Sequence, residues 1–322
     1  MSTSIFSAKI ARTSSLLFAI AMLSACGGGG GSAIPQHAVK KPPQIVVGVH
    51  GTVVRPYASS CAYPNSDKQR LYVVDVAIAD IVRFNPPSHH QAFVNQLPYR
   101  GLDVAFDHLK NMWVSEFMGD NTIQEFAPPY NGPPIFQTTT PLTTPGGIAF
   151  DGADNLYITD GFDNLVVVLA PPYTGNPTTI AVPNPESLAF DAKCNLWVAS
   201  QSGNAYEFTP PYTSPPRRTI SVPGASAIAL DSNKNLFVGT SGQSQDEVLE
   251  FAPPYNGAPI ATITKGVNSV GGIDLDVHGN LFVSSYRMRT IKEYAAPYHG
   301  APVLTLKNKM LGEPNGISFG PK

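Results

Sequence analysis

An internal repeat governs what this chain can fold into. Five aspartates, Asp107, Asp151, Asp191, Asp231 and Asp276, stand 40 to 45 residues apart and each opens the same phrase. Its fullest form is Gly147-Ile148-Ala149-Phe150-Asp151, then four residues ending in Asn155, then Leu156-Tyr157-Ile158-Thr159-Asp160. The apolar triplet recurs as Met112-Trp113-Val114, Leu196-Trp197-Val198, Leu236-Phe237-Val238 and Leu281-Phe282-Val283. A third segment then runs into a proline turn such as Phe126-Ala127-Pro128-Pro129-Tyr130, and a fourth, such as Pro259-Ile260-Ala261-Thr262-Ile263, follows it. Short segments rich in β-branched and aromatic residues, split by Gly, Pro, Asn and Asp, read as strands. No stretch keeps a helical period, so an array of helix pairs is excluded.

A period near 40 with four strands per unit predicts a propeller blade. The chain ends set the blade count. Residues 71–84 supply second and third strands with no first strand before them, and Asn315-Gly316-Ile317-Ser318-Phe319-Gly320 is a first strand with nothing after it. Pairing these two ends predicts an all-β, six-bladed β-propeller over residues 45–322, closed by its C-terminal strand so that no sheet edge is stranded. The form at 147–160 resembles the NHL-repeat and gluconolactonase-like group of six-bladed propellers. That resemblance implies a fold that hosts binders, scaffolds, lactonases and lyases alike.

The N-terminus reads as an export signal. Lys9 and Arg12 precede the apolar run Leu16–Met22, which is too short to span a bilayer but suits a signal-peptide core. Leu23-Ser24-Ala25-Cys26 resembles the bacterial lipobox, which implies cleavage after residue 25 and a lipid on Cys26. Residues 26–44, with five glycines at 27–31, read as a tether. Gly27 after the Cys implies, by the same resemblance, sorting to the outer membrane of the cell envelope. Only 14% of residues are charged and the net charge is −2. No basic excess exists to hold nucleic acid, so the expected partners are a membrane, through the anchor, and a protein, peptide or glycan. The protein is expected to be a monomer. Cys61 and Cys194 stand in a compartment that permits a disulfide, and spacing leaves their pairing open.

Candidate site residues sort by face. In a meander, the a–b and c–d turns share one face and the b–c and d–a loops the other. The ends of the second strands carry Asp75, Glu116 and Asp160, whose oxygens could bind a hard cation or a ligand at the channel mouth, or accept amides from their own turns. The d–a column adds Glu186 and Asn315. Gluconolactonase-like enzymes hold a divalent ion on this face, and Asn315 in Glu313-Pro314-Asn315-Gly316-Ile317 is similar to their Pro-Asn-Gly element. Gly146 and Gly271 stand where that resemblance wants further ligands. The antibiotic-cleaving lyases of the superfamily use a His for acid–base work. Here His89, His90 and His299 fall in c–d turns, His108 and His278 in a–b turns, and His37 and His50 in the lead-in. The expectation is therefore a non-enzymatic binding module with no catalytic residue, metal or cofactor. A lactonase-type hydrolase using a divalent cation such as Ca²⁺ is the alternative. Tyr130, Tyr173, Tyr212, Tyr255 and Tyr298, one per proline turn, are expected to circle the opposite rim as partner contacts or as blade-closing devices.

Overall fold

A computed structural model describes residues 61, 68, 70–85, 89–244, 246–307 and 311–321. The expected signal peptide, Cys26 and the expected tether lie outside the described residues. Six four-stranded antiparallel sheets account for all the regular structure described. Within each blade the strands run a to d from the channel outward, and the a strands of successive blades pack against each other around a complete ring. Blade 1 is the composite one: strands b, c and d are Arg70–Asp75, Asp80–Asn85 and His90–Gln96, and strand a is Pro314–Gly320.

The sequence phrase maps onto one structural unit. Asp151 Oδ1 accepts the amides of Ala153 and Asn155, each at 2.9 Å, and its Oδ2 accepts Asn155 Nδ2 at 2.8 Å. This turn joins strand a to strand b, and it is repeated at Asp107, Asp191, Asp231 and Asp276. Strand b then lies between its own neighbours and the flanking blades, so every residue of Leu156–Asp160, Leu196–Ser200, Leu236–Thr240 and Leu281–Ser285 is buried. That burial explains their near-continuous apolar character. The outer d strands are the converse, with only Ile180 buried in Thr178–Ala181.

Closure follows the predicted route. Leu71 pairs with Phe319 and Val73 with Ile317. Three side chains pin the added strand: Asp274 Oδ2 accepts Phe319 N at 2.7 Å, Ser284 Oγ donates to Asn315 O at 2.6 Å, and Tyr72 OH donates to Pro321 O at 3.0 Å. Glycine is needed where this strand meets blade 2, because a Cβ on Gly316 would lie 2.5 Å from Asp103 Cα. Cys61 and Cys194 are joined in a disulfide across 133 residues, with Cys61 buried in the apolar cluster of blades 3 and 4. The bridge ties the lead-in to the a–b turn of blade 4.

Candidate functional site

The a strands enclose a channel of about 740 Å³, within the range of small-molecule sites. Its upper ring, on the b–c side, is Leu102, Gly146, Glu186, Ser226, Gly271 and Asn315. Small residues keep this mouth open, and they have a packing reason to be small. A Cβ on Gly271 would lie 2.6 Å from Asn315 Oδ1, and one on Gly146 would lie 2.7 Å from Thr159 Oγ1. The two positions where the resemblance wants extra ligands are therefore filled by neighbouring side chains.

The mouth and the channel just below it are acidic. Glu186 is open to the lumen, yet enclosure by the walls raises its carboxyl above the ordinary range. Burial pushes Asp103 up to about 7, although its Oδ2 accepts Ile148 N at 3.0 Å from the next blade. Asp274 has a cation of its own: Lys68 Nζ lies 2.8 Å from its Oδ1. Lys68 and Cys61 both line the cavity, so the lead-in contributes to its wall.

The five predicted mouth residues do not converge. Glu186 and Asn315 line the channel. Asp75 accepts the amides of Ala77, Ile78, Gly312 and Glu313. Asp160 accepts those of Thr143 and Thr144, each at 2.8 Å. Their main partners are the d–a loops rather than the b–c turns alone, because the loop entering strand a passes directly beside the end of strand b. Glu116 accepts one amide, Tyr99 N, at a long 3.4 Å. Among the described residues no group of three or more His, Cys, Asp or Glu is placed to hold a metal ion.

Among the described residues no histidine lines the mouth. His108 stands at the a–b end of the channel, its Nδ1 2.7 Å from Asp154 Oδ1, and this bond raises its pKa above 6.5. His89 has a structural place that the sequence reading missed. Phe84-Asn85-Pro86-Pro87-Ser88-His89 parallels the proline turns with one residue added, and the ring packs against Phe282 at 6.2 Å.

Of the two readings of the tyrosines, the packing favours blade-closing devices over partner contacts. Tyr130, Tyr173 and Tyr298 are buried and Tyr212 and Tyr255 half-buried, so they form no continuous aromatic rim. Each adopts a left-handed φ of 60–68° and drives its ring between blades. Tyr173 meets Trp113 at 4.8 Å, Tyr255 meets Trp197 at 5.0 Å, and Tyr298 meets Phe237 at 5.2 Å. Each hydroxyl donates to a carbonyl of its own blade's a–b turn, as Tyr173 does to Asp154 O at 2.9 Å.

Exposed apolar side chains stand on both faces, with Leu109 and Val277 in a–b turns and Phe93 on an outer strand, but the b–c turns carry them in consecutive blades. Met288, Ile78, Met118 and Phe162 project from the b–c turns of blades 6, 1, 2 and 3, which are consecutive around the ring. Phe162 is 73% exposed, and Tyr99 joins the arc from the loop between blades 1 and 2. Blade 4 has Gln201-Ser202-Gly203 at the same place, so the arc is one-sided. An apolar residue in successive b–c turns was the signal available in the sequence. Exposed Ile135, Ile260 and Val303 instead precede the outer strands of blades 2, 5 and 6.

No family model matches this chain, and no curated protein does. Solved structures do. A chain in a nidogen/laminin complex superposes with a TM-score of 0.62 at 15% identity, covering 77% of this chain and 97% of that one. A streptogramin B lyase gives 0.59 at 12% identity over 83% and 89%. A virginiamycin B lyase from Staphylococcus aureus gives 0.57 at 13% identity over 84% and 91%. At these identities the likeness is one of architecture. The chain has the six-bladed β-propeller fold, with structural neighbours of the virginiamycin B lyase type.

Proposed function

We propose that this protein is a non-enzymatic binding module of the cell envelope, lipid-anchored through Cys26. In this reading it holds a protein, peptide or glycan partner on its b–c face. The observation that carries the reading is the series of exposed Ile78, Met118, Phe162 and Met288 in the b–c turns of four consecutive blades, beside an acidic, open channel mouth. Exposed apolar patches on a stable scaffold mark interaction sites. Asp75 and Asp160 are engaged with loop amides, and among the described residues no histidine lines the mouth. A similarly folded chain occurs in a nidogen/laminin complex, which supports a propeller in a binding role. Glu186 and Asn315, which both line the mouth, keep the lactonase-type alternative as the rival.

The test uses intact envelopes. A photocrosslinking residue in place of Phe162 is expected to give a discrete adduct, and one in place of Val303 none. Cys26→Ser is expected to move the protein from the membrane fraction to the soluble one. Equal adducts from both faces would contradict the binding assignment. Lactone turnover that disappears in Glu186→Ala or Asn315→Ala would promote the hydrolase.

A further inference from the structure

We propose that the b–c loop of blade 2 is a calcium site formed by Glu116, Asn121 and Thr122, with the carboxylate of Asp120 at its rim. Three oxygens in this loop, Glu116 Oε2, Asn121 Oδ1 and Thr122 Oγ1, are buried with no hydrogen-bond partner. Glu116 is fully buried and Thr122 is 8% exposed.

The backbone brings these groups together. Ser115 pairs with Ile123, and Glu116 N donates to Thr122 O at 2.9 Å, so Glu116 and Thr122 face each other on the last rung of the hairpin. Side chains opposed in this way lie on the same side of the sheet. Asn121 is the neighbour of Thr122, held with Met118 in the left-handed region at φ 51° and 59°. Tyr99 lies against the loop: a Cβ on Gly119 would fall 2.1 Å from its ring. The loop is thus fixed in shape by two left-handed residues, a glycine and an aromatic cover.

The equivalent positions in other blades show what is unusual. Asp75 and Asp160 have both carboxylate oxygens saturated by loop amides. Glu116, one methylene longer, keeps a single amide at 3.4 Å and leaves the second oxygen bare. Thr290 in blade 6 also has an unpartnered hydroxyl, but it faces Ser285 and no acid. Among the described residues no Lys, Arg or His forms an ion pair with Glu116.

An ionised carboxylate in such a place is costly without a cation. A carboxylate, an amide carbonyl and a hydroxyl are all hard oxygen donors, and Asp120 is exposed at the loop tip where it can close over an ion. Calcium accepts six to eight oxygens in flexible geometry, whereas magnesium requires a strict octahedron. An irregular loop with mixed donors and access to water favours calcium. The same loop carries Met118 of the apolar arc and lies against Tyr99, so the titration is done on the isolated protein.

The experiment titrates chelator-stripped full-length protein with Ca²⁺ alone and with Mg²⁺ alone, by calorimetry and by thermal melting. Binding of Ca²⁺ is expected in about the 10⁻⁴–10⁻³ M range of extracellular modules, with Mg²⁺ weaker. Glu116→Gln and Asp120→Asn are each expected to weaken it about tenfold or more. Asp120 is exposed, so its variant stays informative if Glu116→Gln fails to fold. Asp163→Asn, an acid in the matching turn of blade 3, is expected to bind as wild type does, and Ca²⁺ is expected to raise the melting temperature of both. No Ca²⁺ binding in this range, or binding unchanged in Asp120→Asn, overturns the proposal.

Discussion

Tyr173 ends a proline turn, fills the gap between blades 2 and 3, and ties down an a–b turn with its hydroxyl. The two roles separate by substitution. Tyr173→Phe keeps the wedge and loses one buried hydrogen bond, with an expected cost of about 0.5–1.5 kcal/mol. Tyr173→Ala removes the ring and leaves a cavity, with an expected cost of about 3–5 kcal/mol. Equilibrium denaturation of both variants checks the ordering. His108 supplies a pH dependence with a definite sign. Its folded pKa is raised above 6.5, chiefly by the hydrogen bond to Asp154. The resulting stability is complete below pH 6.5 and is lost as pH rises through the folded value. Wild type is therefore expected to lose more stability than His108→Gln between about pH 6 and pH 8.5. Parallel curves for the two proteins would contradict that coupling. Residue chemistry was legible where it is local: the Asp151 and Asn155 turn closes within five residues. It was not legible where the partner belongs to the next blade, as for Tyr173, or to a distant segment, as for Cys61 with Cys194.

The inner strands were readable because burial on both sides makes them continuous apolar runs bounded by the Asp turn. The outer strands were weaker signals, since Phe136–Gln137 is only two residues long. The strand that matters most is the last. Ile317 and Phe319 are buried against blades 1 and 6, and the segment completes a sheet begun more than two hundred residues earlier. Deleting residues 316–322 removes both side chains, each worth about 1.5–3 kcal/mol, and leaves two unpaired edges. Against a typical total of about 5–15 kcal/mol, loss of the ring's cooperative melting is expected. A truncated protein with an unchanged calorimetric transition would show that closure contributes nothing.

At the scale of the molecule, the repeat made six blades and their closure predictable, because one structural unit is copied and only its ends differ. The apolar series on the b–c face was less legible. Each of Ile78, Met118, Phe162 and Met288 is a single apolar residue in a turn, unremarkable alone, and only the ring places them side by side. Met118 and Met288 are 43% and 39% exposed, which makes them natural reporters of whether that face is covered. The most direct test is methionine oxidation read by mass spectrometry, comparing purified protein with protein in intact envelopes. Strong protection of Met118 and Met288 in envelopes, and none in purified protein, is the predicted result. Equal oxidation of both methionines in the two preparations would contradict a binding role for this face.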